Sequence, residues 1–250
     1  MPSRDPIPVY AHRFGSEYGP ESSQAALEKS LGHQVEGLEC DIILSRDDEV
    51  FALHDPDLAL CTNLESWATN HQAQEIDEAF ILDRKGEVSQ EHPLRLRSVL
   101  ELIPHDLPLQ LDIKAYVDRE LVEQTTRRAC EIAREHGTAD RITVISFFTQ
   151  GCLIAREHDI TTLLVLWADY APEALVKWAV DRGIDGVSCE GFILSKELTE
   201  PVHDAGLTIS VGAVNSRGQV ERLLPLKPDI IVSDKPAEVR EMVSELGARK

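Results

Sequence analysis

A repeated alternation restricts this chain more than any other feature. Short runs rich in Val, Ile and Leu are separated by longer segments with helical spacing. Nine such runs stand out: IPVYAH, GLECDIILS, VFALHD, PLQLDIK, RITVISFF, TTLLVLW, GVSCE, LTISVGAV and DIIVSD. A strand followed by a helix and another strand needs a crossover connection, and crossovers build parallel sheets. About eight such units predict an α/β fold of the (β/α)8, or TIM-barrel, type. An open doubly wound sheet is the competing arrangement, but no GxGxxG follows any of the runs. A chain of 250 residues suits one domain over 1–250, with roughly three quarters of its unfolded surface buried.

Two helices announce their ends. Asp118 is placed to cap DRELVEQTTRRACEIAREHG, in which Leu121, Val122, Ala129, Ile132 and Ala133 share one face before Gly137 stops it. PEALVKWAVDRG begins with Pro172 and ends at Gly183. One pair of runs breaks the alternation, because only RDDE separates IILS from VFAL. That linker is too short for a crossover and predicts an antiparallel hairpin. A turn centred on Asp47 and Asp48 would set Ser45 opposite Val50 and Asp41 opposite His54. After this third strand, residues 56–95 are polar and mixed, and read as an insertion with the character of a lid or substrate loop.

Charge appears where apolar strands should continue. Glu39 and Asp41 lie two apart and therefore on one face of a strand; Asp112 and Lys114 repeat the spacing, and His12 with Arg13 ends the first run. Taken singly, each has a structural reading, as a capped histidine or a surface ion pair. In a barrel, the C-terminal strand ends surround one mouth, which would collect His12, Arg13, Glu39, Asp41, His54, Asp112 and Lys114. Three carboxylates at one point repel one another unless a cation sits among them, and all-oxygen ligation favours Mg²⁺ or Ca²⁺ over zinc. The remaining histidines, among them His33, His136, His158 and His203, fall near helix ends or in the insertion and carry no chemical assignment.

Composition narrows the partners. A net charge of −19 disfavours nucleic acid and anionic membrane surfaces, and no apolar run is long enough to span a bilayer. The five cysteines are scattered, without CxxC or metal-like spacing, so reduced thiols are expected. The N-terminal text has no apolar stretch like that of an export signal, which makes a cytoplasmic address the expectation.

AHRFGSEYGPESS followed by GLECDIILSRDDEVFALHDP resembles the opening of the glycerophosphodiester phosphodiesterase family, which reads HRG, a PENT-like segment, an E-x-D strand and an HD strand end. CTN, LRSVLELIP, LDIK and IIVSDKP extend the resemblance over essentially the whole chain. It implies a TIM barrel that hydrolyses glycerophosphodiesters to glycerol 3-phosphate and an alcohol, with one divalent cation. It also implies catalytic roles for His12 and His54, metal ligation by Glu39, Asp41 and Asp112, and phosphate binding by Arg13 and Lys114. A phosphodiester lyase that stops at a cyclic product and a non-catalytic phosphodiester binder are the alternatives. Three positions depart from the family pattern: Phe14 replaces the HRG glycine, Asp112 replaces a glutamate, and Gly212 with Ala213 replaces a tryptophan-bearing segment. Bulk at Phe14 is expected to reshape the pocket, and Trp167 or Phe192 to stand in for the missing wall.

Overall fold

A computed structural model describes residues 7–116 and 118–248. In chain order the elements are β1 (Val9–Ala11), α1 (Gln24–Gly32), β2 (Gly37–Leu44), β3 (Val50–Ala52), α2 (Ala73–Asp77), β4 (Leu94–Arg95), α3 (Leu96–Leu102) and β5 (Leu109–Ile113). There follow α4 (Arg119–Glu135), β6 (Ile142–Ser146), α5 (Thr149–Glu157), β7 (Thr161–Leu166), α6 (Pro172–Arg182) and β8 (Gly186–Cys189). The last are α7 (Lys196–Asp204), β9 (Thr208–Val211), α8 (Arg217–Leu223), β10 (Ile230–Ser233) and α9 (Pro236–Gly247). All nine expected runs form strands; β4 is an addition.

The strands close into a (β/α)8 barrel. The ring runs β1, β2, β5, β6, β7, β8, β9, β10 with every neighbour parallel, and β1 seals it by pairing with both β2 and β10. Apolar residues on the outer strand faces pack against the helices in two large clusters, one around α1, α3 and α4 and the other around α6 to α9. Charged residues on β2 and β5 point the other way, into the barrel. Because β2 and β5 pair in register, Asp41 lies beside Asp112 and Glu39 beside Gln110.

Beyond its barrel section, β2 continues into a hairpin with β3, to which β4 adds antiparallel. The expected register is corrected by one residue: Leu44, not Ser45, faces Val50, so Asp41 is not opposite His54. The turn explains the shift. Ser45 and Glu49 close a three-residue loop through Ser45 N donating to Glu49 O, and Asp48 takes the left-handed conformation (φ 62°) that such loops require. Residues 56–95 fold onto the outer face of this hairpin. Leu58, Ile76 and Ile81 join Ile43, Phe51 and Leu53 in a small apolar cluster of their own.

The helix ends follow the sequence signals. Asp118 accepts from Leu121 N at 3.1 Å and so satisfies one of the free donors in the first turn of α4. All five residues of the expected apolar face are buried. At the end of α6, Gly183 adopts φ 67°, which a side chain would resist. Replacing Asp118 with Ala is expected to cost about 1 kcal/mol and to lower the melting temperature by about 2–4 °C in a calorimetric scan. An unchanged transition would contradict the capping role.

Candidate active site at the barrel mouth

The chain leaves β1 through a tight turn at His12–Phe14, in which Arg13 (φ 49°) and Phe14 (φ 62°) are both left-handed. Such backbone costs roughly 1–2 kcal/mol per residue, and full burial of a phenylalanine side chain offsets it by a similar amount. Phe14 lies wholly in the core beside α1 and does not line the mouth, so the expectation that its bulk reshapes the pocket is corrected. The turn carries Arg13 inward. Its main-chain N donates to Glu39 Oε2 at 3.0 Å, its Nη1 donates to Glu21 Oε2 at 2.6 Å, and its Nε lies 3.0 Å from Asp41 Oδ2.

Glu39, Asp41 and Asp112 are buried together, each offering an oxygen within 4.8 Å of the others. Lys114 joins them from the end of β5, with Nζ 2.6 Å from Asp112 Oδ2 and 3.0 Å from Asp41 Oδ1. Burial opposes ionisation of Asp41, but Lys114 and Arg13 outweigh it and hold this carboxyl well below the usual range. Burial and then the Asp41 charge push Glu39 up to about 7. Burial also raises Asp112, against the pull of Lys114. Three carboxylates thus face two fixed cations, and the cluster holds a proton near neutral pH unless another cation enters. Asp112 Oδ1 is buried with no hydrogen-bond partner among the described residues. An orphaned carboxylate oxygen beside two further acids fits a hard divalent ion, which supplies the missing charge.

Two imidazoles border the cluster. His12 Nδ1 lies 2.6 Å from Asp234 Oδ1, and His54 Nδ1 lies 2.9 Å from Asp55 Oδ2. Anchoring Nδ1 to a carboxylate fixes the ring and leaves Nε2 as the exchanging atom. Burial lowers the pKa of His12, but Glu39 and Asp234 outweigh it and the net shift is upward. Asp234 is itself held by Ser16 Oγ and by Asn215 Nδ2, which donate at 2.8 and 2.6 Å. Tyr116 donates to Asp55 at 2.8 Å, and its ring meets that of Trp67, from the insertion, edge-on at 5.5 Å.

All seven residues singled out in the sequence therefore converge on one open cavity of about 440 Å³. Its other walls include Phe147, Trp167, Glu190, Phe192, Gly212 and Ala213. Both aromatic residues expected near the Gly212 departure reach it. The unassigned histidines lie elsewhere: His33, His136 and His158 follow helix ends, and His203 Nε2 pairs with Asp229 at 3.0 Å. Sequence reasoning missed Asp234, Asn215, Asp55 and Tyr116. Asp234 carried a usable signal, since it ends DIIVSD much as Asp112 ends LQLD; Asn215 and Tyr116 carried none.

The chain resembles known proteins over nearly its whole length. The model of the glycerophosphoryl diester phosphodiesterase family matches residues 12–238. A glycerophosphodiester phosphodiesterase of Bacillus altitudinis is 24% identical over 246 residues, spanning 95% of this chain and 98% of that protein. An Oleispira antarctica phosphodiesterase solved in complex with the product sn-glycerol-3-phosphate has a TM-score of 0.85 at 20% identity, over 96% of this chain and 97% of that one. A glycerophosphodiester phosphodiesterase structure from Thermotoga maritima has a TM-score of 0.78 at 17% identity, over 96% of this chain and 99% of that one. At such identities the structural likeness speaks for the barrel fold.

The raised Glu39 carboxyl gives a pH signature for metal binding. Below about 7 this group is protonated, and a cation entering the cluster would have to displace that proton, so affinity is expected to fall as pH drops and the dependence to flatten above 7. Calorimetric titration with Mg²⁺ or Ca²⁺ between pH 5.5 and 8.5, in buffers of differing ionisation heat, is expected to show both the slope and the proton release. Affinity independent of pH over that range would contradict the shared proton.

Proposed function

The chain belongs to the glycerophosphoryl diester phosphodiesterase family, and from that premise we propose that it hydrolyses glycerophosphodiesters to glycerol 3-phosphate and an alcohol at its barrel mouth. The observation that carries this reading is the pairing of two Nδ1-anchored imidazoles with Arg13 and Lys114 in one cavity. Arg13 and Lys114 bind the phosphate oxygens and are prepositioned for charge that grows there during attack on phosphorus. One imidazole takes a proton from the attacking hydroxyl while the other delivers one to the departing alkoxide, so the pair works best when their protonation states differ. Asp234 and Asp55 keep each ring in the tautomer that exposes Nε2.

Glu39, Asp41 and Asp112 would hold one divalent ion, Mg²⁺ or Ca²⁺, which would supply Lewis-acid stabilisation of phosphoryl charge. Asp112, with its shorter side chain, would contribute its carboxylate from a strand position directly beside Asp41. Residues 56–95 act on the site indirectly, because the Trp67 ring meets Tyr116, which donates to Asp55, the partner of His54. No helix among the described residues is long and apolar enough to cross a membrane. The five free, buried cysteines suit a cytoplasmic address.

His12→Ala and His54→Ala are each expected to lower turnover of glycerophosphodiesters by about 10²- to 10⁴-fold with the circular dichroism spectrum unchanged. Turnover near that of the wild type in both variants would remove them from the chemistry. An excess of chelator is expected to abolish activity and added Mg²⁺ or Ca²⁺ to restore it; full activity in the chelator would exclude the ion from the mechanism.

A further inference from the structure

Three groups in the cavity wall take no part in the steps above. Trp167 follows β7, while Glu190 and Phe192 follow β8. In the ring, β7 and β8 stand four strands away from β1 and β2 respectively, so these side chains face His12, Arg13 and the acidic cluster across the mouth. Trp167 is 67% exposed and Phe192 75%, an unusual placement for two large rings beside a charged cavity.

Glu190 sharpens the question. Among the described residues its side chain makes no ion pair. The positive charges it feels are His12 and Lys114, and both already serve other carboxylates. Phe147, on the adjoining wall, shows how this chain satisfies a ring inside the same cavity: Lys114 Nζ sits 5.1 Å from its centroid. Among the described residues, no cation stands over the ring of Trp167 or Phe192. Glu190 is exposed and open to a ligand, and together with the two uncovered π faces on the same cavity wall it offers a surface complementary to a positive charge with an apolar periphery, the chemistry of a quaternary ammonium group.

We propose that Trp167, Glu190 and Phe192 form a subsite for a cationic head group, so that the preferred substrates are glycerophosphodiesters of quaternary amino alcohols. This rests on the hydrolase reading for its substrate class. Net charge adds a second argument: at −19 the chain repels anionic diesters, whereas a zwitterionic diester carries no net charge to repel. The diester phosphate lies against Arg13 and Lys114, and the head group extends across the mouth to Glu190. If the rings instead walled the glycerol, or Glu190 bound glycerol hydroxyls, their loss would weaken every glycerophosphodiester alike.

The test compares kcat/KM for glycerophosphocholine and glycerophosphoglycerol in the wild type, Glu190→Gln, Trp167→Ala and Phe192→Ala, with circular dichroism as the check on folding. The wild type is expected to favour the choline ester by about tenfold or more. Each variant should lower that ratio by roughly three- to tenfold, mainly through KM. A wild-type ratio near one, or equal losses on both esters, overturns the subsite. Equilibrium binding of choline alone to the wild type and to Glu190→Gln provides a readout that needs no turnover. Weaker binding by the variant supports the proposal, and identical or absent binding overturns it. Should the wild type cleave neither ester, the hydrolase reading fails, while the choline measurement still decides the subsite.

Discussion

Burial of three carboxylates inside a barrel is the constraint on which the rest of this structure depends. Glu39, Asp41 and Asp112 are only 3%, 1% and 6% exposed, and each lies on a strand whose other face is packed against helices. An unpaired ion in such a place costs several kcal/mol even after relaxation. The chain answers with cations from two directions, Arg13 from the end of β1 and Lys114 from the end of β5. Neither can be moved far without stranding charge. The left-handed turn at Arg13 and Phe14 is a consequence: only a chain that doubles back immediately after β1 can return a guanidinium to Asp41 while sending the next side chain into the core.

The same logic organises the closing seam. β1 pairs with β10, and Asp234, just past the end of β10, binds His12, just past the end of β1. Asn215 and Ser16 complete the shell around that carboxylate, and Arg84 of the insertion approaches it to 4.0 Å. Burial opposes ionisation of Asp234, but His12 and these donors outweigh it and keep its pKa low. Barrel closure therefore positions an imidazole as well as completing the sheet. On the other side of the mouth, His54 depends on Asp55, Tyr116 and Trp67 in turn, so the insertion is tied to the site through a chain of contacts rather than by proximity alone.

Much of this was legible in the text of the chain. Strand runs and helix caps read correctly because their signals are local: an Asp before an amphipathic stretch, a Gly after one, a β-branched run between them. Glu39, Asp41, Asp112 and Lys114 were visible because charge inside an apolar run demands a partner. The hairpin register was missed by one residue because it depends on the conformation of Asp48, which no composition rule dictates. Phe14 leaves the pocket for the core through a left-handed backbone, a conformation that the sequence does not reveal. Asn215 and Tyr116 could not be found at all, since their roles arise from contacts over 19 and 61 residues of sequence separation. The compact apolar cluster under residues 56–95 was likewise hidden, because its members are scattered among polar residues.

Anomalous diffraction from crystals grown with Mn²⁺ would locate a hard divalent ion at the barrel mouth without reference to activity. A single strong peak ligated by oxygens of Glu39, Asp41 and Asp112 is expected, with Asp112 Oδ1 no longer lacking a partner. A barrel mouth without such a peak, in which Lys114 alone bridges Asp41 and Asp112 at saturating Mn²⁺, would contradict it.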